Sequence, residues 1–213
     1  MARRNLQRID EIKTLSNVFS RNAAIKGTWN KEYFKNNNPI ILELACGKGE
    51  YTIELAQRFP EKNFIGVDIR GARLWKGAKL ALELNLKNVA FLNELIQNIA
   101  KYFDEDEVAE IWLTFPDPYP KRRDEKHRLT SPTFLKSYKN ILKKEGVIHL
   151  KTDDRNLFEY TKESLQKENG IIQEAIEDLN DAPVKNDILT IQTSYERKYL
   201  AMGRKIFYLR FSF

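Results

Sequence analysis

Strand-length apolar runs alternate with helix-length amphipathic stretches from Ile40 almost to the C-terminus, and few folds accept such a sequence. The pattern predicts strands over 40–44, 63–67, 89–92, 108–115, 147–151, 171–176 and 205–213. Helices are expected over 51–59, 72–84, 95–103 and 156–167. A further helix opens at Ser131-Pro132, where serine can cap free N–H groups and proline suits the first helical position; Gly146 stops it. Seven strands spaced by such helices imply an α/β fold, a mostly parallel sheet with helices on both faces. The residues before Pro39 break the pattern. They read as an N-terminal arm and helical extension over 1–38, ahead of one domain over 39–213.

Composition narrows the setting. The 213 residues, 42% of them hydrophobic, are enough for a full core, and 31% charged residues solvate the surface. No apolar run approaches the roughly 20 residues a membrane span requires. Basic residues near the N-terminus have no apolar stretch behind them, so no secretory leader is expected. Cys46 is the single cysteine, which excludes an internal disulfide and fits a reducing, cytoplasmic setting. His127 and His149 are not spaced as metal ligands, and no metal is expected. Trp29, Trp75 and Trp112 are expected in the core. Lys and Arg outnumber Asp and Glu by 36 to 30, for a net charge of +6. That excess favours a polyanionic partner if the basic residues gather beside a site.

In an open parallel sheet, ligands bind beyond the carboxyl ends of the strands. The first predicted strand runs straight into Glu43-Leu44-Ala45-Cys46-Gly47-Lys48-Gly49-Glu50, and then a helix begins. Gly47 and Gly49 permit a tight turn that a ligand can approach closely. Asp68 ends the next strand, about 20 residues further on, where an acid can accept hydrogen bonds from both ribose hydroxyls. It can equally cap the helix that follows near Gly71. A dinucleotide site would prefer a third glycine near Tyr51-Thr52, and there is none. Glu43 adds a carboxylate that would repel a pyrophosphate but suit the cationic aminoacyl end of S-adenosylmethionine. The turn therefore favours a methyl donor.

The segment Phe115-Pro116-Asp117-Pro118-Tyr119-Pro120-Lys121-Arg122-Arg123 follows the fourth strand, on the edge where an acceptor should sit. Flanking prolines restrict the backbone around Asp117. Lys121, Arg122, Arg123, Lys126, His127 and Arg128 put positive charge next to that carboxylate. Tyr119 can stack on a base or pack against the sheet. Lys151-Thr152-Asp153-Asp154 ends the fifth strand on the same edge. Asp153 is a second acceptor-side carboxylate, and Asp154 can cap the next helix. Thr193-Ser194-Tyr195-Glu196 reads on its own as a helix start.

Taken in order, Glu-x-x-x-Gly-x-Gly, Phe-Pro-Asp-Pro-Tyr-Pro-Lys, Lys-Thr-Asp and Thr-x-Tyr-Glu resemble the bacterial tRNA (guanine-N7-)-methyltransferases, from about Lys26 to the C-terminus. The resemblance implies a Rossmann-like class I methyltransferase fold with seven strands. It also implies methyl transfer from S-adenosylmethionine to guanine N7 in the variable loop of tRNA. By the same resemblance Glu43, Gly47, Gly49, Asp68 and Asp117 face the cofactor, with Asp117 also beside catalysis. Lys121, Asp153, Thr193, Ser194, Tyr195 and Glu196 match positions that hold the target nucleotide, and Arg122 is expected to grip phosphates together with Lys121. Two positions depart from the family: Ala45 stands where a glycine is common, and Asn93 or Glu94 must serve where an acid usually follows the third strand. The alternatives are an adenine amino-group methyltransferase, because Asp117-Pro118-Tyr119 is similar to the motif of that class, and a non-catalytic RNA-binding protein on the same fold. Oligomeric state is open.

Overall fold

The computed structural model describes residues 2–21, 23–181 and 187–213. Part of the polar excursion expected between the last two strands, 182–186, lies outside the described residues, as do Met1 and Asn22. Eight strands form one sheet: β1 (Val18–Ser20), β2 (Ile40–Leu44), β3 (Asn63–Val67), β4 (Val89–Asn93), β5 (Val108–Thr114), β6 (Leu142–Thr152), β7 (Ile171–Ile176) and β8 (Phe207–Ser212). Their order is β1-β4-β3-β2-β5-β6-β8-β7. Pairing is parallel throughout, except that β8 runs antiparallel to both β6 and β7. The α-helices are α1 (Ala2–Glu11), α2 (Glu50–Arg58), α3 (Gly71–Glu83), α4 (Pro132–Ile141), α5 (Arg155–Lys167) and α6 (Ser194–Ala201). None of the described helices is long and apolar enough to cross a membrane.

The strand order reverses at β2, whose neighbours are β3 on one side and β5 on the other. Every residue of β2 is buried, as a parallel strand covered on both faces requires. Two apolar clusters cover the two faces of the sheet. One gathers Trp29, Phe103, Tyr138 and Phe158; the other gathers Tyr51, Leu74, Phe91 and Trp112. Glu43 alone interrupts the apolar character of β2, two residues before the turn that follows it.

Seven strands were expected and eight are present among the described residues. The extra one is β1, three residues that pair in parallel with β4, Val18 opposite Phe91. A segment that short has no periodicity to read, and it becomes a strand only because β4 offers an open edge. The predicted helix over 95–103 is reduced to 3₁₀ turns at Ile96–Lys101. The helix opened by Ser131-Pro132 ends at Ile141, before Gly146. There the chain passes directly into β6, and the β5–β6 pairing slips around the exposed Lys143-Lys144-Glu145. Gly146 fits the slip, since a Cβ there would lie 2.8 Å from the Lys143 carbonyl oxygen.

The N-terminal residues are built onto the same body. Arg8 of α1 lies 4.8 Å over the Trp75 ring of α3, and the Asn17 side chain donates to the Ala78 carbonyl at 2.9 Å. Trp29 is fully buried, stacked on Phe103, and its indole N–H donates to the Tyr102 carbonyl at 2.8 Å.

Candidate active site

The loops that leave β2, β3, β4, β5 and β6 converge on one cleft of about 540 Å³, within the usual range for small-molecule sites. Its floor is the turn after β2. Ala45, Gly47 and Gly49 all take left-handed backbone, with φ of 60°, 60° and 68°. Gly47 faces open space, whereas a Cβ on Gly49 would strike the Phe91 ring at 2.6 Å. Gly47 therefore borders the cleft, and Gly49 serves packing. The missing third glycine of a dinucleotide turn has a substitute on another helix: Gly77 of α3 lets that helix approach the turn, where a Cβ would lie 2.4 Å from the Lys48 carbonyl oxygen.

Asp68, almost buried, bridges two loops. One oxygen accepts from the Gly47 N–H at 2.9 Å and the other from the Arg70 N–H at 2.7 Å. Asp68 lines the cleft, and each of its oxygens has acceptor capacity beyond the one bond it receives, as a pair of adjacent hydroxyls needs. Glu43 lies beneath the turn, 3% exposed and bordering the same cleft. Its carboxylate accepts from the Thr52 N–H at 2.9 Å, from the Thr52 hydroxyl, and from the Thr114 hydroxyl at 2.6 Å. Burial nevertheless pushes its pKa up to about 7, with the nearby Asp68 charge adding to the shift and the hydroxyl bonds opposing it. Such a carboxylate suits a cationic ligand. Gly47, Asp68 and Glu43 together fit the sulfonium amino acid that the turn suggests.

Of the two candidates after β4, Glu94 borders the cleft. The Asn93 amide instead donates to the carbonyls of Asp68 and Ile69, at 2.8 and 3.0 Å, and so fixes the β3 loop. Burial works to raise the Glu94 pKa, but bonds from the Tyr102 hydroxyl, the Leu95 N–H and Asn98, together with Arg21, leave it below the ordinary value.

On the acceptor side, Asp117 and Asp153 border the same cleft. Asp117 is exposed in a loop with φ of 50° at Phe115 and 42° at Tyr119, both unusual for residues carrying a Cβ. Asp153 is half-buried and accepts from Arg204 at 2.5 Å. Tyr199 lies close to both: burial raises its pKa first, and the charges of Asp153 and Asp117 raise it further against the effect of Arg204. Asp154 caps α5 by accepting from the Leu157 N–H at 2.7 Å.

The late motif divides in two. Thr193 caps α6 through the Glu196 N–H at 3.2 Å, and Ser194 donates from its N–H and hydroxyl to Glu50 at 2.5 and 2.9 Å; both border the cleft, as does the exposed Tyr195. Glu196 does not reach it. It is buried against the fully buried Lys151, whose ammonium donates to both carboxylate oxygens at 2.8 and 2.9 Å and to the Ile191 carbonyl at 3.0 Å. Lys121 and Arg122 are exposed outside the lining of the cleft. Arg128, read in sequence as part of the basic run, is buried inside the loop.

Nothing in the sequence around Tyr199 and Arg204 sets them apart, and the basic run does not show that Arg128 alone among its members is buried. Lys151 opens the Lys-Thr-Asp motif, yet its partner is 45 residues away, so the sequence does not show the pairing. Among the described residues, no group of three or more His, Cys, Asp or Glu could hold a metal ion.

A family model described as "Putative methyltransferase" matches residues 37–209. The tRNA (guanine-N(7)-)-methyltransferase of Christiangramia forsetii is 51% identical over 197 residues, 92% of this chain and 86% of that protein. The protein of the same name from Cytophaga hutchinsonii is 43% identical over 219 residues, covering 100% of this chain and 99% of the relative. Among solved structures, an antibiotic-related methyltransferase superposes with a TM-score of 0.65 at 20% identity, over 85% of this chain and 90% of that one. A 16S rRNA methyltransferase gives 0.66 at 12% identity, over 88% and 94%. At those identities the superpositions speak for the class I methyltransferase fold alone, whereas the sequence relatives extend over the loops that build the cleft. The chain belongs to the tRNA (guanine-N(7)-)-methyltransferase family.

Proposed function

We propose that this protein transfers a methyl group from S-adenosylmethionine to N7 of a guanine in the variable loop of tRNA, in the cytoplasm. The observation that carries the reading is one cleft that joins a buried carboxylate and a glycine turn to two further carboxylates, Asp117 and Asp153. Glu43 would hold the aminoacyl end of the cofactor, Asp68 the ribose, and the loop of Glu94 and Leu95 the adenine. Gly47 leaves room for the cofactor chain, and Gly49 and Asn93 hold the loops around it. The cofactor, when bound, supplies an electrophilic methyl group on sulfur.

Guanine N7 has an exposed lone pair and no proton to lose at neutral pH, so none of these residues needs to act as a base. Alignment is then the main contribution of the protein. Asp117, the catalytic residue in this reading, and Asp153 accept hydrogen bonds from guanine N1–H and N2–H₂, donors that adenine lacks on that edge. Thr193, Ser194 and Tyr195 form the wall next to the base, and Glu196 holds that wall through Lys151. Lys121 and Arg122, exposed beyond the rim, grip phosphates. The body over 39–213 carries this chemistry, and the described residues of 1–38 form an extension packed upon it.

Incubation of the purified protein with labelled S-adenosylmethionine and unmodified tRNA tests the reading. The label should appear at a site cleaved after borohydride and aniline treatment. Label that resists cleavage would overturn N7 as the acceptor. Asp153→Ala should abolish methylation and retain cofactor binding; full activity in that variant removes Asp153 from base recognition.

A further inference from the structure

We propose that Arg128 is the positioning residue that sets the spacing of the two acceptor carboxylates, by tying the Asp117 loop to the helix that starts after Asp153. The inference rests on the assignment of those carboxylates to the guanine edge. Arg128 is 4% exposed, and all three of its guanidinium nitrogens are occupied. Nε donates to the Pro118 carbonyl at 2.9 Å and Nη2 to the Tyr119 carbonyl at 3.0 Å. Nη1 pairs with Glu125 at 3.5 Å. The two carbonyls belong to the residues directly after Asp117, and Tyr119 is one of the two left-handed positions in the loop.

The face of the guanidinium lies 4.2 Å over the Tyr160 ring. Tyr160 is on α5, whose first turn is capped by Asp154, next to Asp153. A second tie runs beside it, where the Thr130 and Thr161 hydroxyls share a hydrogen bond of 2.8 Å in a buried pair. The segment 128–130 is thus fastened to α5 on one side and to the Asp117 loop on the other. A guanidinium presents its donor fork in one plane and a flat face for the ring in a single fixed geometry; a lysine ammonium has neither the fork nor the flat face.

The test uses R128A, R128K and Y160L in the full-length protein, with D117A as a control. R128A should lower kcat for tRNA methylation by about 10- to 100-fold, the scale of a displacement near 1 Å, while cofactor affinity stays within about threefold. Millimolar guanidinium should restore part of the lost kcat in R128A and none in D117A. R128K keeps the charge and most of the volume, so it answers for folding; it should lose kcat and stay unresponsive to guanidinium. Y160L should lose kcat to a smaller extent with KM nearly unchanged. Wild-type kcat in R128K overturns the proposal, as does an R128A protein that loses cofactor binding in step with activity and gains nothing from guanidinium. Full activity in D117A would instead defeat the reading of Asp117 itself.

Discussion

Burial leaves Glu43 with a pKa near 7, so its charge depends on what lies beside it. A cationic ligand favours the ionised form, and binding should then release a proton around neutral pH. Cofactor affinity is expected to rise as pH increases through about 7. Calorimetry in buffers of different ionisation enthalpy measures the released proton directly. Glu43→Gln should abolish the release and weaken binding about 10- to 100-fold, the worth of a charge-assisted hydrogen bond; an unchanged pH profile would show that Glu43 does not meet the cation. For the ligand-free protein the sign is opposite. The folded pKa lies above the unfolded one, so the stability contributed by this group is complete below about 4.5 and is lost as pH rises through 7. Ala45, with φ of 60°, carries a local strain in the same turn. Left-handed backbone costs an alanine about 1–2 kcal/mol, and glycine's greater unfolded freedom offsets part of any relief. Ala45→Gly should therefore raise stability by about 0.5–1 kcal/mol in urea unfolding.

The elements of the site hold one another in place. The loop segment 189–193 and α6 are drawn onto the end of β6 by the buried Lys151, which donates to Glu196 and to the carbonyls of Leu189 and Ile191. Burial depresses the Lys151 pKa and raises that of Glu196, while their mutual attraction opposes both shifts. Removing one partner leaves a buried charge alone, so Glu196→Leu or Lys151→Met should cost about 3–5 kcal/mol. The double variant Lys151→Met with Glu196→Leu should recover most of that loss, since an apolar pair of similar volume is often neutral. A double-mutant cycle by denaturant unfolding measures the difference, and simple additivity of the two losses would mean that the pair is not coupled. Because Ser194 is tied to Glu50 at the start of α2, the same single variants should also loosen the cleft wall and raise KM for tRNA.

Across the whole molecule, the net charge of +6 favours a polyanionic partner such as tRNA. Binding should weaken linearly in log–log form with salt, and replacing both Lys121 and Arg122 by alanine should reduce the slope by about two, one for each phosphate contact. Cofactor affinity should not change; an unaltered slope would remove both residues from the phosphate contacts. The alternation of strands and helices was legible because each element must bury a periodic face, and that requirement is written locally. Gly47, Asp68, Asp117 and Asp153 could be placed near the ligand edge for the same reason, since each follows a strand end directly. Even the capping role of Asp154 could be read from its position before a helix. The three-residue β1 could not, because its pairing depends on an open edge more than 60 residues away. Nor could the division of the late motif, in which Thr193 and Tyr195 border the cleft while Glu196 is buried against Lys151. Whether a charged residue meets solvent, a ligand or an internal carbonyl depends on which distant groups surround it. Sequence alone therefore determined the fold class and the edge of the sheet at which the cleft opens. Only the folded chain decided that Arg128 and Lys151 turn inward onto carbonyls and a carboxylate, because desolvation and hydrogen-bond geometry act between residues that are neighbours only in space.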